Sequence, residues 1–293
     1  MDTVAKKKTE TVEDIVLRYS RRGMHILREH LDENFCRLAA ERMLTLKKGN
    51  ILLTTGFYVD GHAETDGPLG TMTLANALRK VGYHPIIITD MFCRGFFEME
   101  GLDVTYMDIK DGWKEYGSLI REYDPVGMIS IERCGRNTES DYVNMRGDSI
   151  KSRTARIDLL FELAMEHKIP TFGIGDGGNE IGMGNLKEVI QEELSLAPCE
   201  VTVDTLVIST VSNWGAYAVE AYMQQMKKVR LLPSYKEIKR YLETIVNMGS
   251  VDGVTGRQSA SVDGFPLEVE REILESLDVA ASAADAGEAR KAG

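Results

Sequence analysis

Short apolar segments that alternate with helical segments constrain the fold of this 293-residue chain more than any other feature. The segments span residues 51–55, 85–89, 104–107, 126–131, 171–174 and 205–209. Helical periodicity separates most of them from the next. Continuous apolar runs are typical of strands that are covered on both faces. The pattern therefore predicts a doubly wound α/β fold with a mainly parallel sheet and helices on both faces.

The remaining segments are predicted to flank this domain. Residues 11–48 carry apolar residues at helical spacing, which predicts an N-terminal helical segment, so that a single α/β domain extends over 11–278. Residues 1–10 are predicted to form a disordered leader. Residues 279–293 are rich in alanine and glycine and predict a disordered tail.

Composition argues against several classes of function. The formal net charge of −11 disfavours nucleic acid and anionic membranes as partners. The apolar runs are too short to span a bilayer, and no secretory signal is visible, so we expect a soluble, cytoplasmic protein with no membrane partner. Four scattered cysteines without a CxxC pair are typical of reduced thiols in the cytosol. A homo-oligomer is compatible with the sequence.

Acidic residues follow four of the predicted strands. In a parallel sheet, ligands bind outside the carboxyl ends of the strands, so we expect these side chains to converge. Carboxylates gathered that closely need a counter-charge, and Mg²⁺ or Mn²⁺ prefers oxygen ligands. The predicted metal ligands are Asp66, Asp90, Glu132 and Asp176. Taken singly, an aspartate at a strand-to-helix turn is more typical of a helix cap.

The segment Gly173–Gly184 places six glycines around Asp176, Asn179 and Glu180. Such a density of glycine predicts a sharply bent backbone that can approach a ligand closely. The segment also matches the dinucleotide pattern GxGxxG, but it lies late in the chain and would point an acid at a pyrophosphate. We therefore expect no nucleotide cofactor. Gly177, Gly178 and Asn179 are predicted to contact a small substrate.

Other polar residues near the strand ends predict that this substrate is a small anion. Arg133 and Arg136 suit the bidentate binding of a carboxylate or phosphate, with a surface salt-bridge cluster as the alternative. Glu64 lies in a turn just before a predicted helix and is a candidate for substrate binding. Asn213 is a further candidate, with helix capping as its alternative. Residues 141–148 lack a clear period and predict a lid over the site.

Five motifs together resemble the D-glutamate cyclase-like C-terminal domain family. They are Glu64-Thr65-Asp66-Gly67-Pro68, Ile131-Glu132-Arg133, Tyr142-Val143-Asn144-Met145-Arg146-Gly147, the run from Gly173 to Gly184, and Val211-Ser212-Asn213-Trp214-Gly215. The resemblance extends from about Lys48 to Leu277. Two departures from the family pattern are Thr54-Thr55-Gly56-Phe57, where a more glycine-rich turn is usual, and Cys134, where proline is usual.

The resemblance implies the closure of D-glutamate to 5-oxo-D-proline with loss of water. Members of this family occur alone or fused behind another domain. On this interpretation, a metal ion polarises the carboxylate, Arg133 or Arg136 holds the α-carboxylate, and Glu180 acts as the base. One alternative is an Mg- or Mn-dependent phosphatase of phosphate esters. Another is a non-catalytic ligand-binding partner of a hydro-lyase.

Overall fold

The computed structural model describes residues 10–194 and 196–291, and a six-stranded parallel sheet lies at its centre. The strands are β1 (Asn50–Thr54), β2 (His84–Asp90), β3 (Asp103–Met107), β4 (Gly127–Ile131), β5 (Thr171–Gly175) and β6 (Thr205–Ile208). Their spatial order is β3-β2-β1-β4-β5-β6, and every neighbouring pair is parallel. The predicted doubly wound α/β fold is confirmed.

Helices connect and cover the strands. They are α1 (Val12–Val16), α2 (Met24–Leu27), α3 (Phe35–Thr45), α4 (Pro68–Lys80), α5 (Trp113–Tyr123), α6 (Asp158–His167), α7 (Lys187–Val189), α8 (Ser212–Lys227), α9 (Tyr235–Asn247) and α10 (Leu267–Lys291). Short 3₁₀ turns lie at Arg28–His30, Met91–Cys93, Glu98–Glu100, Lys151–Arg153 and Met183–Leu186, and a π-helical turn lies at Ile190–Leu194. Two small antiparallel hairpins pair Tyr58–Val59 with His62–Ala63 and Ser261–Val262 with Phe265–Pro266.

The helices form two layers because the chain winds in opposite directions from the middle of the sheet. From β1 it proceeds through α4 to β2, whereas from β4 it proceeds through α6 to β5. Right-handed crossovers then place α4 and α6 on opposite faces. Helix α8 packs against α3, α4 and α10, and most of its residues are buried, including Trp214 and Tyr217. The core therefore extends from the sheet through α8.

The winding direction reverses between β1 and β4, which are neighbours in the sheet. At such a reversal, the loops that follow the two strands separate and leave a crevice at the carboxyl end of the sheet. Glu64 and Asp66 lie in the loop after β1, and Glu132 directly follows β4. The topology thus brings acidic residues from distant parts of the sequence to one crevice.

The two ends of the chain differ in detail from the sequence-based expectation. The segment predicted to be helical over 11–48 is interrupted between α1 and α2, where Tyr19 and Gly23 adopt left-handed backbone conformations with φ of 60° and 75°. Helix α10 extends past the predicted end of the domain at residue 278, and the disorder predicted for 279–293 stays a prediction. Within the predicted leader, residues 1–9 lie outside the described part. Among the described residues, no helix has the length and apolar character needed to cross a membrane.

Candidate metal centre and substrate cavity

Three buried carboxylates from three neighbouring strand ends meet in the crevice. Asp66, Glu132 and Asp176 follow β1, β4 and β5, and each offers an oxygen atom within 4.8 Å of the others. All three side chains are at most 4% exposed. Hard divalent cations bind such oxygen clusters, so the geometry suits a metal centre built from three of the four predicted ligands.

Asp66 is fixed by the start of α8. Its Oδ2 accepts a hydrogen bond from the backbone N–H of Ser212 at 2.8 Å, and its Oδ1 accepts from those of Asn213 and Gly67 at 2.9 Å. These contacts place a carboxylate at the positive end of the helix dipole. Helix capping, the alternative role for such an aspartate, thus coexists with membership in the triad.

Asn213, at the start of α8, in turn caps α4. Its Oδ1 accepts hydrogen bonds from the backbone N–H groups of Gly67 at 3.0 Å and Gly70 at 2.6 Å. The α4 and α8 N-termini are therefore locked to each other through one aspartate and one asparagine. Asn213, predicted to bind substrate or to cap the helix that follows it, is fully buried and caps α4 rather than α8, where it lies.

Glu132 is held in an unusual backbone conformation. Its φ is 48°, in the left-handed region that non-glycine residues seldom adopt, and its N–H donates to the carbonyl of Ile174. The hydroxyl of Ser212 donates to Oε2 of Glu132 at 2.6 Å. Strained backbone that persists in a well-packed region is frequent at functional sites, and here it directs the carboxylate toward Asp66 and Asp176.

The glycine-rich run wraps around Glu180. Oε2 of Glu180 accepts from the backbone N–H of Gly178 at 2.8 Å. A Cβ atom at Gly177 would lie 2.7 Å from Oε1 of Glu180, and Gly178 has a φ of 109°, so both positions need glycine. Two buried oxygens, Oε1 of Glu180 and Oδ2 of Asp176, have no hydrogen-bond partner within residues 10–194 and 196–291. Unpartnered buried carboxylate oxygens are costly unless a cation or a proton reaches them.

Two residues of the cluster were not anticipated from the sequence. Arg22 donates from Nη1 to Oδ1 of Asp176 at 2.6 Å and from Nη2 to Asp263. Arg22 precedes α2, and Asp263 lies in the hairpin turn before α10. The sequence contains two Val-Asp-Gly units, at 251–253 and 262–264, and that repeat is the one signal that could have indicated Asp263. Nothing near Arg22 distinguishes it from a surface arginine.

Burial determines the pKa values of the acidic side chains in the cluster. Six acidic side chains of the cluster are each no more than 6% exposed, namely Glu64, Asp66, Glu132, Asp176, Glu180 and Asp263. Burial and the neighbouring Asp263 raise the pKa of Asp66 to about 8, although the three backbone N–H groups oppose this. Burial, reinforced by adjacent carboxylates, raises the pKa values of Glu64, Glu132 and Asp176 well above their usual range. The cluster therefore favours protons or a cation.

Asp90 and Arg133 do not join the triad, although both were predicted to act in the site. Arg133 is fully buried and donates to Oδ2 of Asp90 at 2.7 Å, and to the carbonyl oxygens of Gly56 and Ala155 at 2.6 and 2.8 Å. Asp90 also accepts from the N–H of Phe92, as a cap of the following 3₁₀ turn. Strand β2 lies on the far side of β1 from β4 and β5, so Asp90 ends a strand that neighbours neither of them.

Arg136 is likewise engaged elsewhere. Its Nη1 lies 3.4 Å from Oδ2 of Asp158 and also pairs with Glu162, both on α6. This arrangement matches the salt-bridge alternative. Asn179 donates to the carbonyl of Val143 at 2.7 Å and so ties the glycine-rich run to the segment predicted to be a lid.

A small cavity opens above the acidic cluster. Its volume is about 60 Å³, and its walls include Glu64, Glu132, Asn179 and, from the predicted lid, Arg146. A groove of about 430 Å³ adjoins it. Arg22, Asn144, Met145 and Asn179 line both spaces. The two spaces thus share Arg22, and Glu64 and Glu132 line only the smaller one.

Comparison with known proteins gives one family and one curated relative. The family described as D-glutamate cyclase-like, C-terminal, matches residues 12–278. The mitochondrial D-glutamate cyclase of Homo sapiens is 29% identical over 282 residues, in a match that covers 78% of this chain and 45% of the relative. The chain therefore spans less than half the length of that relative.

Solved structures are only distantly similar. An exopolyphosphatase-related protein from Bacteroides fragilis superposes with a TM-score of 0.40 at 11% identity, covering 85% of this chain and 57% of that chain. UDP-glucose 4-epimerase from Brucella ovis superposes with a TM-score of 0.32 at 14% identity, covering 50% of this chain and 49% of that chain. Neither superposition carries an argument about function.

Proposed function

This chain belongs to the D-glutamate cyclase-like C-terminal family, and from that premise we propose that it is a metal-dependent enzyme that closes D-glutamate to 5-oxo-D-proline and water. The observation that supports the proposal most is the buried triad of Asp66, Glu132 and Asp176, with oxygens within 4.8 Å of one another. The reaction needs an electrophilic centre next to the carboxylate of the substrate. A metal ion can be that centre, and the triad would hold it.

The reaction balances without an external proton source. The α-ammonium nitrogen loses two protons and forms a bond to the carbon of the γ-carboxylate, and the bond between that carbon and one of its oxygens breaks. One γ-carboxylate oxygen accepts both protons and leaves as water. The protein therefore needs a group that accepts a proton near the ammonium and delivers it to the departing oxygen.

Glu64 is suited to this proton transfer. It lines the cavity, whereas Glu180 is not among the residues that line it and packs against Gly175 and Gly177. Burial and the adjacent Asp263 raise the pKa of Glu64 well above its usual range, so this carboxyl group holds a proton more readily than an exposed glutamate does. We propose Glu64 as the proton carrier, with Glu180 as a buried group that supports the shape and charge of the site.

Asp66, Glu132 and Asp176 would hold Mg²⁺ or Mn²⁺. When bound, such an ion would polarise the γ-carboxylate and stabilise the charge that develops on its oxygens. The two unpartnered oxygens, on Asp176 and Glu180, support this assignment because neither has a donor among the residues that the structure describes. Arg146, on the wall of the cavity, is available for an anionic part of the substrate because Arg133 and Arg136 are engaged elsewhere.

A turnover assay tests this function. Purified protein with Mn²⁺ or Mg²⁺ is incubated with D-glutamate, and 5-oxoproline is measured by chiral chromatography. We expect product with the metal and none after EDTA treatment, with L-glutamate as the stereochemical control. Absence of product with either metal would overturn the assignment of D-glutamate as substrate. Phosphate release from a panel of phosphate esters in parallel tests the phosphatase alternative.

A second candidate function is supported by the coverage of the relative. Since this chain matches 45% of the human protein, the closure reaction in that protein could depend on the remaining part. We propose as the alternative that this domain binds the substrate or product for a partner hydro-lyase. Calorimetric binding of D-glutamate or 5-oxo-D-proline without turnover would favour this alternative over the enzyme.

A further inference from the structure

We infer that the guanidinium of Arg22 is an internal cation of the acidic cluster, and that its ion pair with Asp176 breaks when a divalent ion binds. The freed guanidinium then binds a carboxylate of the substrate. This inference rests on the proposed metal site, and it adds a residue and an order of binding. Metal would bind first, and the anionic substrate second. Four observations support it.

The first observation is the charge of the cluster. Arg22 reaches two of the six buried acids, Asp176 through Nη1 at 2.6 Å and Asp263 through Nη2. Arg22 thus supplies positive charge at a vertex of the metal triad. A divalent ion placed among Asp66, Glu132 and Asp176 would repel a guanidinium bonded to the same carboxylate. The two cations therefore compete for Asp176.

The second observation is the pair of unpartnered oxygens. Arg22 satisfies Oδ1 of Asp176, while Oδ2 of the same carboxylate and Oε1 of Glu180 are buried without any donor. A single arginine therefore leaves the cluster incompletely satisfied. A metal ion can contact several carboxylate oxygens at once, and this favours the replacement of Arg22 by the metal ion at Asp176.

The third observation is the position of Arg22 between two spaces. Its side chain is 24% exposed. It lines both the small cavity of about 60 Å³ and the adjoining groove of about 430 Å³. At about 60 Å³ the smaller cavity lies well below the roughly 300–1,000 Å³ of typical small-molecule pockets, whereas the groove of about 430 Å³ lies within that range. Outward movement of the guanidinium would join the two spaces.

The fourth observation concerns the other arginines predicted to bind the substrate. Arg133 is held by Asp90 and two carbonyl oxygens, and Arg136 is held by Asp158 and Glu162. Arg22 has no comparable set of carbonyl partners, since both of its hydrogen bonds go to the acids of the cluster. Once released, its planar fork matches a carboxylate.

Manganese titration of Arg22 variants tests the inference. We expect Arg22→Gln to bind Mn²⁺ about tenfold more tightly than the wild type by calorimetry or electron paramagnetic resonance, because a competing charge is removed. The same variant should bind D-glutamate about tenfold more weakly in saturating Mn²⁺, because a charged hydrogen bond is lost. Arg22→Lys, which keeps the charge but not the fork, should retain the wild-type Mn²⁺ affinity and lose D-glutamate affinity.

Arg21→Gln is the matched control for Mn²⁺ affinity. It removes the same charge one residue away, where the guanidinium stacks on Phe265 at 4.4 Å, and should leave the Mn²⁺ affinity unchanged. Thermal unfolding verifies that each variant is folded. If the wild type binds Mn²⁺ and Arg22→Gln binds it equally or more weakly, the inference is wrong and the proposed metal site stands. If neither protein binds Mn²⁺, both are wrong.

Discussion

Oδ1 of Asn213 accepts a hydrogen bond of 2.6 Å from the backbone N–H of Gly70, which joins the first turn of α8 to the first turn of α4. The same oxygen accepts from Gly67, directly after the triad residue Asp66. The position of Asp66 thus depends on a helix that begins about 145 residues later in the chain. Helix packing and the geometry of the carboxylate triad are therefore coupled at this point.

Replacing Asn213 with alanine should destabilise the protein and disturb the triad together. The buried N–H of Gly70 would lose its acceptor, whereas that of Gly67 would keep Oδ1 of Asp66, so we expect urea unfolding to show a loss of about 1–3 kcal/mol. Mn²⁺ affinity should fall in the same variant, because the Asp66 loop is released. Asn76→Ala, on the less buried side of α4, is the control and should change the unfolding free energy by about 0.5 kcal/mol or less. An unaltered unfolding free energy for Asn213→Ala would contradict the reciprocal capping.

Glu270 should make stability depend on pH. Its carboxylate is fully buried, and burial raises its pKa to about 7, although Trp214 and Tyr217 donate hydrogen bonds to it. The folded state therefore favours the protonated form, and stability is lost as the pH rises from about 4.5 to above 7. The two pKa values correspond to a loss on the order of 3 kcal/mol.

Glu270→Gln tests this dependence because the amide keeps an acceptor for Trp214 without a charge. We expect the variant to gain stability relative to the wild type at pH 8 and to lose that advantage at pH 5, as measured by urea unfolding. A difference between the two proteins that stays constant over this range would show that Glu270 does not titrate between the two pH values.

The Asp90→Asn substitution tests whether Asp90 has a structural role or is a metal ligand. Removing one partner of the buried Asp90–Arg133 pair leaves an uncompensated guanidinium, which costs about 3–5 kcal/mol in such pairs. We expect a loss of this size in chemical unfolding, with Mn²⁺ affinity within about threefold of the wild type. The opposite outcome, weak Mn²⁺ binding with unchanged stability, would make Asp90 a ligand.

Gly253→Ala should impair the site more than the fold. A Cβ atom there would lie 1.8 Å from Oε2 of Glu64 and 3.2 Å from Oδ1 of Asp263. The end of the Glu64 side chain can move, so we expect an unfolding free energy lowered by about 1 kcal/mol, together with a turnover rate reduced by about tenfold or more. Gly117→Ala, where the nearest atom is the end of Arg121 at 3.5 Å, is the control and should leave turnover unchanged. Equal turnover in the two variants would exclude Glu64 as the proton carrier.

Much of the fold could be predicted because the strands are buried on both faces. Continuous apolar runs such as 85–89 and 171–174 identify the strands, and all six predicted strands end within one residue of the observed bounds. The order of strands in the sheet has no such local signal. Without it, Asp90 and Asp176 look equivalent, since each follows a strand, yet only Asp176 follows a neighbour of β4.

Arg22 is a second residue whose position in the site could not be predicted from the sequence. It lies 154 residues from Asp176 and 241 from Asp263, so no sequence motif joins them. Its Arg-Arg-Gly context is typical of an exposed turn, and the left-handed Gly23 and Tyr19 that set its direction are features of the folded backbone. Contacts of this kind depend on packing of the whole chain, which local patterns do not encode.

Mn²⁺ binding by the wild type and Asp176→Asn, measured by equilibrium dialysis with elemental analysis, tests the central claim most directly. Asp60→Asn is the matched control, because it removes the same charge from an exposed residue on the cavity wall. We expect one Mn²⁺ ion per chain in the wild type and in Asp60→Asn, and affinity about tenfold weaker or worse in Asp176→Asn. Equal Mn²⁺ content and affinity in all three proteins would contradict a metal centre at Asp66, Glu132 and Asp176.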